Sequence, residues 1–284
     1  MTAAGAVRRA ARGVITRTAR DVTAAVAARD AVVLAPHPDD ETLGVGATIL
    51  RKVAAGARVT VVVVTDGRHS HASPVLPPAE LARRRSLEMA EAARRLGLGA
   101  DAVRRVGLED GTVAAHEDAL VDALAALLDE LRPAELYTTA AGEPHPDHAA
   151  VGRAARRAAH QAALGAARSS APGPEVLEYP VWLWGAWPLT AGRRAGSVLD
   201  AARTVVGRRA VAVRTGAHRD AKRFALDAHA SQLRRPAEVP DDAPWAVLPP
   251  DVLAAALGDR EVFFRAPSPG AARPAGAAPA VVRR

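Results

Sequence analysis

The chain predicts an α/β domain built on a mostly parallel sheet with helices on both faces. Three observations carry this. From Ala31 onward, short apolar runs alternate with longer amphipathic stretches, the order expected of strands joined by crossover helices. The run from Arg58 to Thr65 is almost wholly β-branched, which suits a strand covered on both faces. The amphipathic stretches are closed by helix-stop residues, among them Gly56, Gly97 and Arg132-Pro133.

Taken in order, Ala31 to Ala35 reads as a strand ended by Pro36, and Leu43 to Ala55 as a helix closed by Gly56. Arg58 to Thr65 is the next strand and Arg68 to Pro78 a loop rich in Pro, Ser and His. Ala79 to Leu96 reads as a helix, Ala102 to Val106 as a weaker strand, and His116 to Leu131 as a helix. Glu135 to Thr139 follows as a strand, Asp147 to Leu164 as a helix, and Gly165 to Pro174 as a loop. Val176 to Trp184 and Arg209 to Val213 read as strands joined by a Gly/Arg-rich segment. Ala217 to Leu233 and Asp251 to Leu257 read as helices, and Glu261 to Phe264 as a last strand. The expected organisation is one domain over residues 30–264. A helical extension over 1–29 precedes it, and a disordered Pro/Gly/Ala-rich tail over 265–284 follows.

Composition narrows the class. The 284 residues are long enough for a full core, and the 49% hydrophobic content is mostly Ala, Val and Leu, so that core is aliphatic. No apolar run approaches the roughly 18 residues of a membrane span, and residues 1–30 lack the compact apolar region of a secretory signal. Cysteine is absent, which permits a cytoplasmic location and excludes a thiolate metal site. The net charge of +7 comes from dispersed arginines with no aromatic platform beside them. Solvated helix faces explain that charge better than nucleic-acid binding.

Two strings carry the chemistry: His37-Pro38-Asp39-Asp40-Glu41 and His145-Pro146-Asp147-His148. Each follows a predicted strand, and in an open doubly wound sheet ligands sit outside the carboxyl ends of the strands. His37 and Asp40 would then share one edge with His148, on the opening turn of its helix. Any of these aspartates could serve as a helix cap. Capping, however, has no use for the imidazoles. Two histidines and a carboxylate with a vacant position are what an open catalytic zinc site needs. The residues alone therefore point to a metal-dependent hydrolase.

These strings also resemble a known family. Pro36-His37-Pro38-Asp39-Asp40-Glu41-Thr42-Leu43-Gly44, with Gly46, is similar to the opening motif of the PIG-L/LmbE-like deacetylases, and His145-Pro146-Asp147-His148 to their second motif. Thr65-Asp66-Gly67, Arg85-Ser86-Leu87-Glu88 and His229-Ala230-Ser231-Gln232 fall where that family has comparable elements, so the resemblance runs from Ala31 to Gln232. It implies a Rossmann-like three-layer sandwich and one Zn2+ per chain held by His37, Asp40 and His148. It implies Asp39 as general base, and His145, oriented by Asp147, as stabiliser of the oxyanion or proton donor to the leaving amine. The implied reaction is removal of an N-acyl group, acetyl in the usual case, from a small amino-sugar substrate. Asp66, Arg68 and Arg85 are the candidate substrate-binding residues.

The chain departs from many relatives after Thr65-Asp66-Gly67, where Arg68-His69-Ser70-His71 stands in place of a Glu; this bears on substrate and not on the reaction. Trp182, Trp184 and Trp187 are candidates for a sugar-stacking rim or for core packing. Three other readings compete. An amidase of a larger conjugate, such as a mycothiol S-conjugate, would share the metal and base. A phosphoesterase would need a second, bridged metal. A nucleotide-binding module would use Gly44-Val45-Gly46, but Ile49 stands where a third glycine is needed. No nucleic-acid or membrane partner is expected, and the oligomeric state stays open, a homo-oligomer included.

Overall fold

A computed structural model describes residues 3–71, 75–167, 173–186 and 210–266. Eight strands form one sheet: β1 (Arg20–Asp21), β2 (Ala31–Ala35), β3 (Val59–Thr65), β4 (Val103–Leu108), β5 (Glu135–Thr139), β6 (Glu175–Tyr179), β7 (Ala210–Arg214) and β8 (Arg260–Arg265). Their order is β1-β7-β8-β6-β5-β2-β3-β4. All neighbours are parallel except β8, which runs antiparallel to both β6 and β7. The expected mostly parallel α/β sandwich is the fold observed.

Helices α1 (Ala3–Thr18), α2 (Thr23–Val26), α3 (Asp40–Ala54), α4 (Pro78–Arg95), α5 (Glu117–Leu131) and α6 (Pro146–Ala167) precede the later, shorter ones. The side-chain alternation of the strands sends Val33, Val61 and Val63 to one face of the sheet, against Val45 and Ile49 of α3 and Met89 of α4. Val32, Leu34, Val62 and Val64 turn to the other face, against Leu120, Leu124 and Leu128 of α5 and the alanine stripe of α6. That split between faces is why these strands read as continuous apolar runs. Among the described residues no helix is long and apolar enough to cross a membrane.

The winding reverses between β2 and β5. β2 pairs with β3 on one side and with β5 on the other, and the chain departs from this point in both directions. A crevice opens at such a switch point, outside the carboxyl ends of the two central strands. The loops after β2 and β5 are the ones that carry the two His/Asp strings.

Three expected elements differ. The strand expected over Val176 to Trp184 stops at Tyr179, because Pro180 has no N–H for the ladder. The Glu143 carboxylate then accepts from the N–H groups of Val181 (2.8 Å), Trp182 (2.9 Å) and Leu183 (3.3 Å), which starts a short helix, Leu183–Ala186. The helix expected over Ala217 to Leu233 is broken into Arg219–Leu226 and Ala230–Leu233, because His229 turns (φ −78°, ψ 54°) to place its ring on Glu41. The N-terminal stretch, read as purely helical, also contributes β1, which extends the sheet by pairing with β7. The Gly/Arg-rich segment with Trp187, most of the loop after Gly165, and the tail from residue 267 lie outside the described residues.

Two glycines show how closely the helices press on the sheet. A Cβ on Gly44 would stand 2.2 Å from the Tyr179 ring, and one on Gly152 would stand 2.5 Å from the Thr139 carbonyl oxygen. Within a helix an alanine is intrinsically favoured over glycine by about 1 kcal/mol. At Gly152, however, the neighbouring atoms are backbone and cannot yield. Gly152→Ala should therefore destabilise by about 2 kcal/mol or more, read as a fall in Tm. Gly142→Ala, whose Cβ meets nothing within 4 Å, should leave Tm nearly unchanged. Equal melting of the two variants would contradict this packing.

Candidate metal centre

The site is built by the turn between β2 and α3. Asp39 has φ 138° and ψ −24°, a region that residues with a Cβ seldom enter. Several bonds hold it there. Its N–H donates to Glu41 Oε2 (3.1 Å), its carbonyl accepts from the Leu43 N–H (2.9 Å), and Arg85 Nη2 donates to the Pro38 carbonyl at 2.7 Å. The same Arg85 nitrogen lies 3.3 Å from Asp39 Oδ2. Behind Asp39, Glu41 Oε1 is 3.2 Å from His229 Nε2. The side chains of Asp39, Glu41, Arg85 and His229 are all buried.

Three donor atoms converge from the two strings. His37 Nδ1 and His148 Nε2 are 3.2 Å apart, His148 Nε2 and Asp40 Oδ2 3.2 Å, and His37 Nδ1 and Asp40 Oδ2 3.4 Å. A tetrahedral zinc ion with bonds of about 2.0–2.1 Å sets its ligand atoms about 3.3 Å apart. The donor set therefore fits zinc both in size and in chemistry. His37 is also a corner of two further compact groups, with His145 and His148, and with Asp110 and Asp147. The second group meets the opposite ring nitrogen: His37 Nε2 lies 3.0 Å from Asp110 Oδ1 and 3.4 Å from Asp147 Oδ2. Two carboxylates at Nε2 keep the proton there and turn the Nδ1 lone pair to the centre.

The electrostatics follow from this crowding. Burial opposes charge on His37, but Asp110, Asp147 and Asp40 outweigh it and raise its pKa well above the ordinary value. A proton on Nδ1 and a metal ion would compete for the same lone pair. Burial would raise Asp40, yet His148 and His37 hold it well below the usual carboxylate range. Asp39 moves the other way: burial pushes it up to about 6, against the pull of Arg85. Burial, with charge on His37 and His148, lowers His145 to about 4. His145 Nδ1 is 3.3 Å from the Asp147 N–H, so in the neutral ring Nδ1 accepts and Nε2 carries the proton.

Each expected residue can now be placed. His37, Asp39, Asp40, Arg85 and His145 line a cavity of about 300 Å³ at the switch point, with His148 buried behind it. Asp147 is present but faces elsewhere than expected. Its carboxylate accepts from the N–H groups of Gly111 (2.7 Å) and Val113 (3.3 Å) and reaches His37, and it meets His145 only through its own backbone N–H. From the first turn of α6 the Asp147 carboxylate points across to the loop after β4, which is where His37 Nε2 lies. Asp66 and Arg68 pair with one another at 2.7 Å at the rim and are not among the cavity walls. His69 and His71 do line it, and so does Trp182, whose ring stacks 6.5 Å from that of His145.

Sequence reasoning missed Asp110, Glu143 and the part played by Glu41 and His229. Asp110 follows the weak strand β4, and a carboxylate at the carboxyl end of another strand was the available signal. Glu143 lies 3.8 Å from His148 Nδ1 while anchoring the segment after β6. Nothing in its local sequence announces that long-range contact.

Comparison with known proteins gives matches in both sequence and fold. A family model described as PIG-L: GlcNAc-PI de-N-acetylase matches residues 32–159. The chain is 36% identical over 172 residues to the 1D-myo-inositol 2-acetamido-2-deoxy-alpha-D-glucopyranoside deacetylase of Streptomyces griseus subsp. griseus, covering 51% of this chain and 53% of that protein. It is 31% identical over 251 residues to the protein of the same name from Mycobacteroides abscessus, covering 80% and 88%. The chain spans about half the length of the first few such relatives. In fold it is similar to the N,N'-diacetylchitobiose deacetylase of Pyrococcus horikoshii, with a TM-score of 0.57 and 22% identity over 85% of this chain and 82% of that one. A teicoplanin deacetylase gives a TM-score of 0.56 at 18% identity over 83% and 97%. From the length matched in the Mycobacteroides protein, and from the family model over both His/Asp strings, the chain belongs to the PIG-L (GlcNAc-PI de-N-acetylase) family.

Proposed function

We propose that this chain is a zinc-dependent N-deacetylase of a small amino-sugar compound, with the ion held by His37, Asp40 and His148. The observation that carries the reading is the triangle of donor atoms with 3.2–3.4 Å edges beside the strained, buried Asp39. When bound there, zinc supplies Lewis acidity toward a carbonyl and acidifies water to a pKa of about 7. The names of the relatives support an N-acetylglucosaminyl-inositol compound as the substrate class.

The chain's own residues supply the rest. Asp39 takes the proton of the attacking water, since its carboxylate lines the cavity and its pKa of about 6 leaves it a usable base near neutrality. Arg85 holds both the Pro38 carbonyl and the Asp39 carboxylate, which fixes the base against the strain of its backbone. The neutral His145 presents Nε2–H to the oxygen that gains charge as the amide carbon becomes tetrahedral. Asp110 and Asp147 orient the His37 ring. Trp182 offers the sugar an aromatic wall.

His148→Ala should lower zinc content from about one ion per chain to a small fraction, measured by metal analysis after dialysis. Unchanged content would break the ligand assignment. Asp39→Asn should keep its zinc yet lose at least about a hundredfold in kcat, and full activity would remove Asp39 as the base. The base works only when deprotonated, so kcat/KM of the wild type should fall as pH drops through about 6. A bound dication can only move that limb lower. A limb that persists unchanged in the residual activity of Asp39→Asn would assign it to another group. The activity itself is tested by acetate release from a panel of N-acetylated amino sugars, with and without chelator. Chelator-sensitive release supports the reading. Zinc without release from any of them would redirect it to larger conjugates.

A further inference from the structure

Helix α3 carries Asp40 on its first turn, and one turn later other side chains enter its hydrogen-bond ladder. In an uninterrupted α-helix the Ala47 N–H donates to the Leu43 carbonyl and the Thr48 N–H to that of Gly44. Here the Leu43 carbonyl accepts from Lys222 Nζ at 2.9 Å. The Ala47 N–H donates to Glu261 Oε1 at 2.7 Å, and the Thr48 N–H to Glu261 Oε2 at 2.8 Å. Thr48 Oγ1 donates to the same Oε2. Lys222 Nζ and Glu261 Oε1 are themselves 2.7 Å apart, with side chains 0% and 2% exposed. A fully buried ion pair thus bonds to the helix backbone one turn past Asp40.

The sequence makes room for it. A Cβ on Gly46 would stand 3.0 Å from Lys222 Cγ, so glycine lets the lysine stem cross the helix surface. Gly44 and Gly46, which resemble half of a dinucleotide loop, are spent on the Tyr179 ring and on Lys222. The partners come from far along the chain, Lys222 from the helix Arg219–Leu226 and Glu261 from the antiparallel strand β8. A buried ion pair is seldom better for stability than apolar residues of similar volume, so core packing alone does not account for it. A short path leads from it to the site. Lys222 holds the Leu43 carbonyl, and the Leu43 N–H holds the Asp39 carbonyl at 2.9 Å.

We propose that Lys222 and Glu261 are positioning residues for the Asp39–Asp40 turn. By bonding to the Leu43 carbonyl and to the Ala47 and Thr48 N–H groups they set where the first turn of α3 stands. This keeps Asp40 Oδ2 in the donor triangle and Asp39 in its strained backbone conformation. The inference rests on the metal reading above.

The test compares wild type, Glu261→Gln, Lys222→Met and the double variant. Zinc affinity is read by chelator competition, kcat and KM by acetate release, and Tm on metal-free protein. Each single variant strands a buried charge and should lower Tm, while the double variant removes both charges and should regain much of it. Zinc affinity should fall about tenfold or more in all three, with kcat reduced and KM nearly unchanged. A double variant with restored Tm and lost zinc affinity separates positioning from stability. Should the single variants fail to fold, the double variant alone decides. Folded variants that bind zinc as tightly as the wild type overturn the inference and leave the metal reading intact. A wild-type chain that binds no zinc overturns both.

Discussion

The hydrogen bonds at Nε2 of His37 determine what the other nitrogen of that ring can do. Asp110 and Asp147 hold the Nε2 proton, and both carboxylates are themselves tied to backbone N–H groups of neighbouring loops. Nδ1 is thereby aimed at His148 and Asp40. An imidazole free to flip or change tautomer would present a proton to the centre as often as a lone pair. The loops after β2, β4 and β5 must therefore be held in mutual register, and the parallel sheet with its switch point between β2 and β5 does that.

Charge is buried throughout this molecule, and its placement follows a common rule. Lys52 lies 2.6 Å from Glu135, which also accepts from Tyr137 (2.8 Å); Arg85 reaches Asp39, and Lys222 reaches Glu261. Each of the three cations also donates to a main-chain carbonyl, so none depends on its carboxylate partner alone. The aspartates of the site show the consequence of unequal neighbourhoods. Asp40, between two imidazoles, is held ionised, whereas Asp39, more desolvated than compensated, rises toward neutrality. Under the proposed mechanism, adjacent carboxylates are in this way divided into a ligand and a base.

Much of this was legible before any coordinate. β2 and β3 are short apolar or β-branched runs flanked by turn residues, and their limits fall within a residue of those expected, because a strand covered on both faces has no polar alternation to confuse it. β5, though it carries Glu135, Thr138 and Thr139, also falls at its expected limits between Pro133 and the next turn. The two His/Asp strings stood out because each follows such a strand. Elements governed by distant contacts were not legible in the same way. The helix break at His229 depends on Glu41, nearly two hundred residues earlier, and the early end of β6 is completed by Glu143.

The sequence by itself determined the alternation of strands and helices, the two loops that carry the His/Asp strings, and the membership in the PIG-L family. These are properties of local pattern and of residue type. Tertiary structure decided which side of His37 each carboxylate takes, that the Asp147 carboxylate reaches His37 while its backbone N–H donates to His145, that Asp66 and Arg68 pair with each other, and that two glycines of α3 make way for an aromatic ring and a lysine. Those outcomes depend on separations of a few tenths of an ångström between segments that the chain brings together only when the sheet is complete. Hydrogen bonding and burial distinguish such separations sharply, and linear spacing does not encode them.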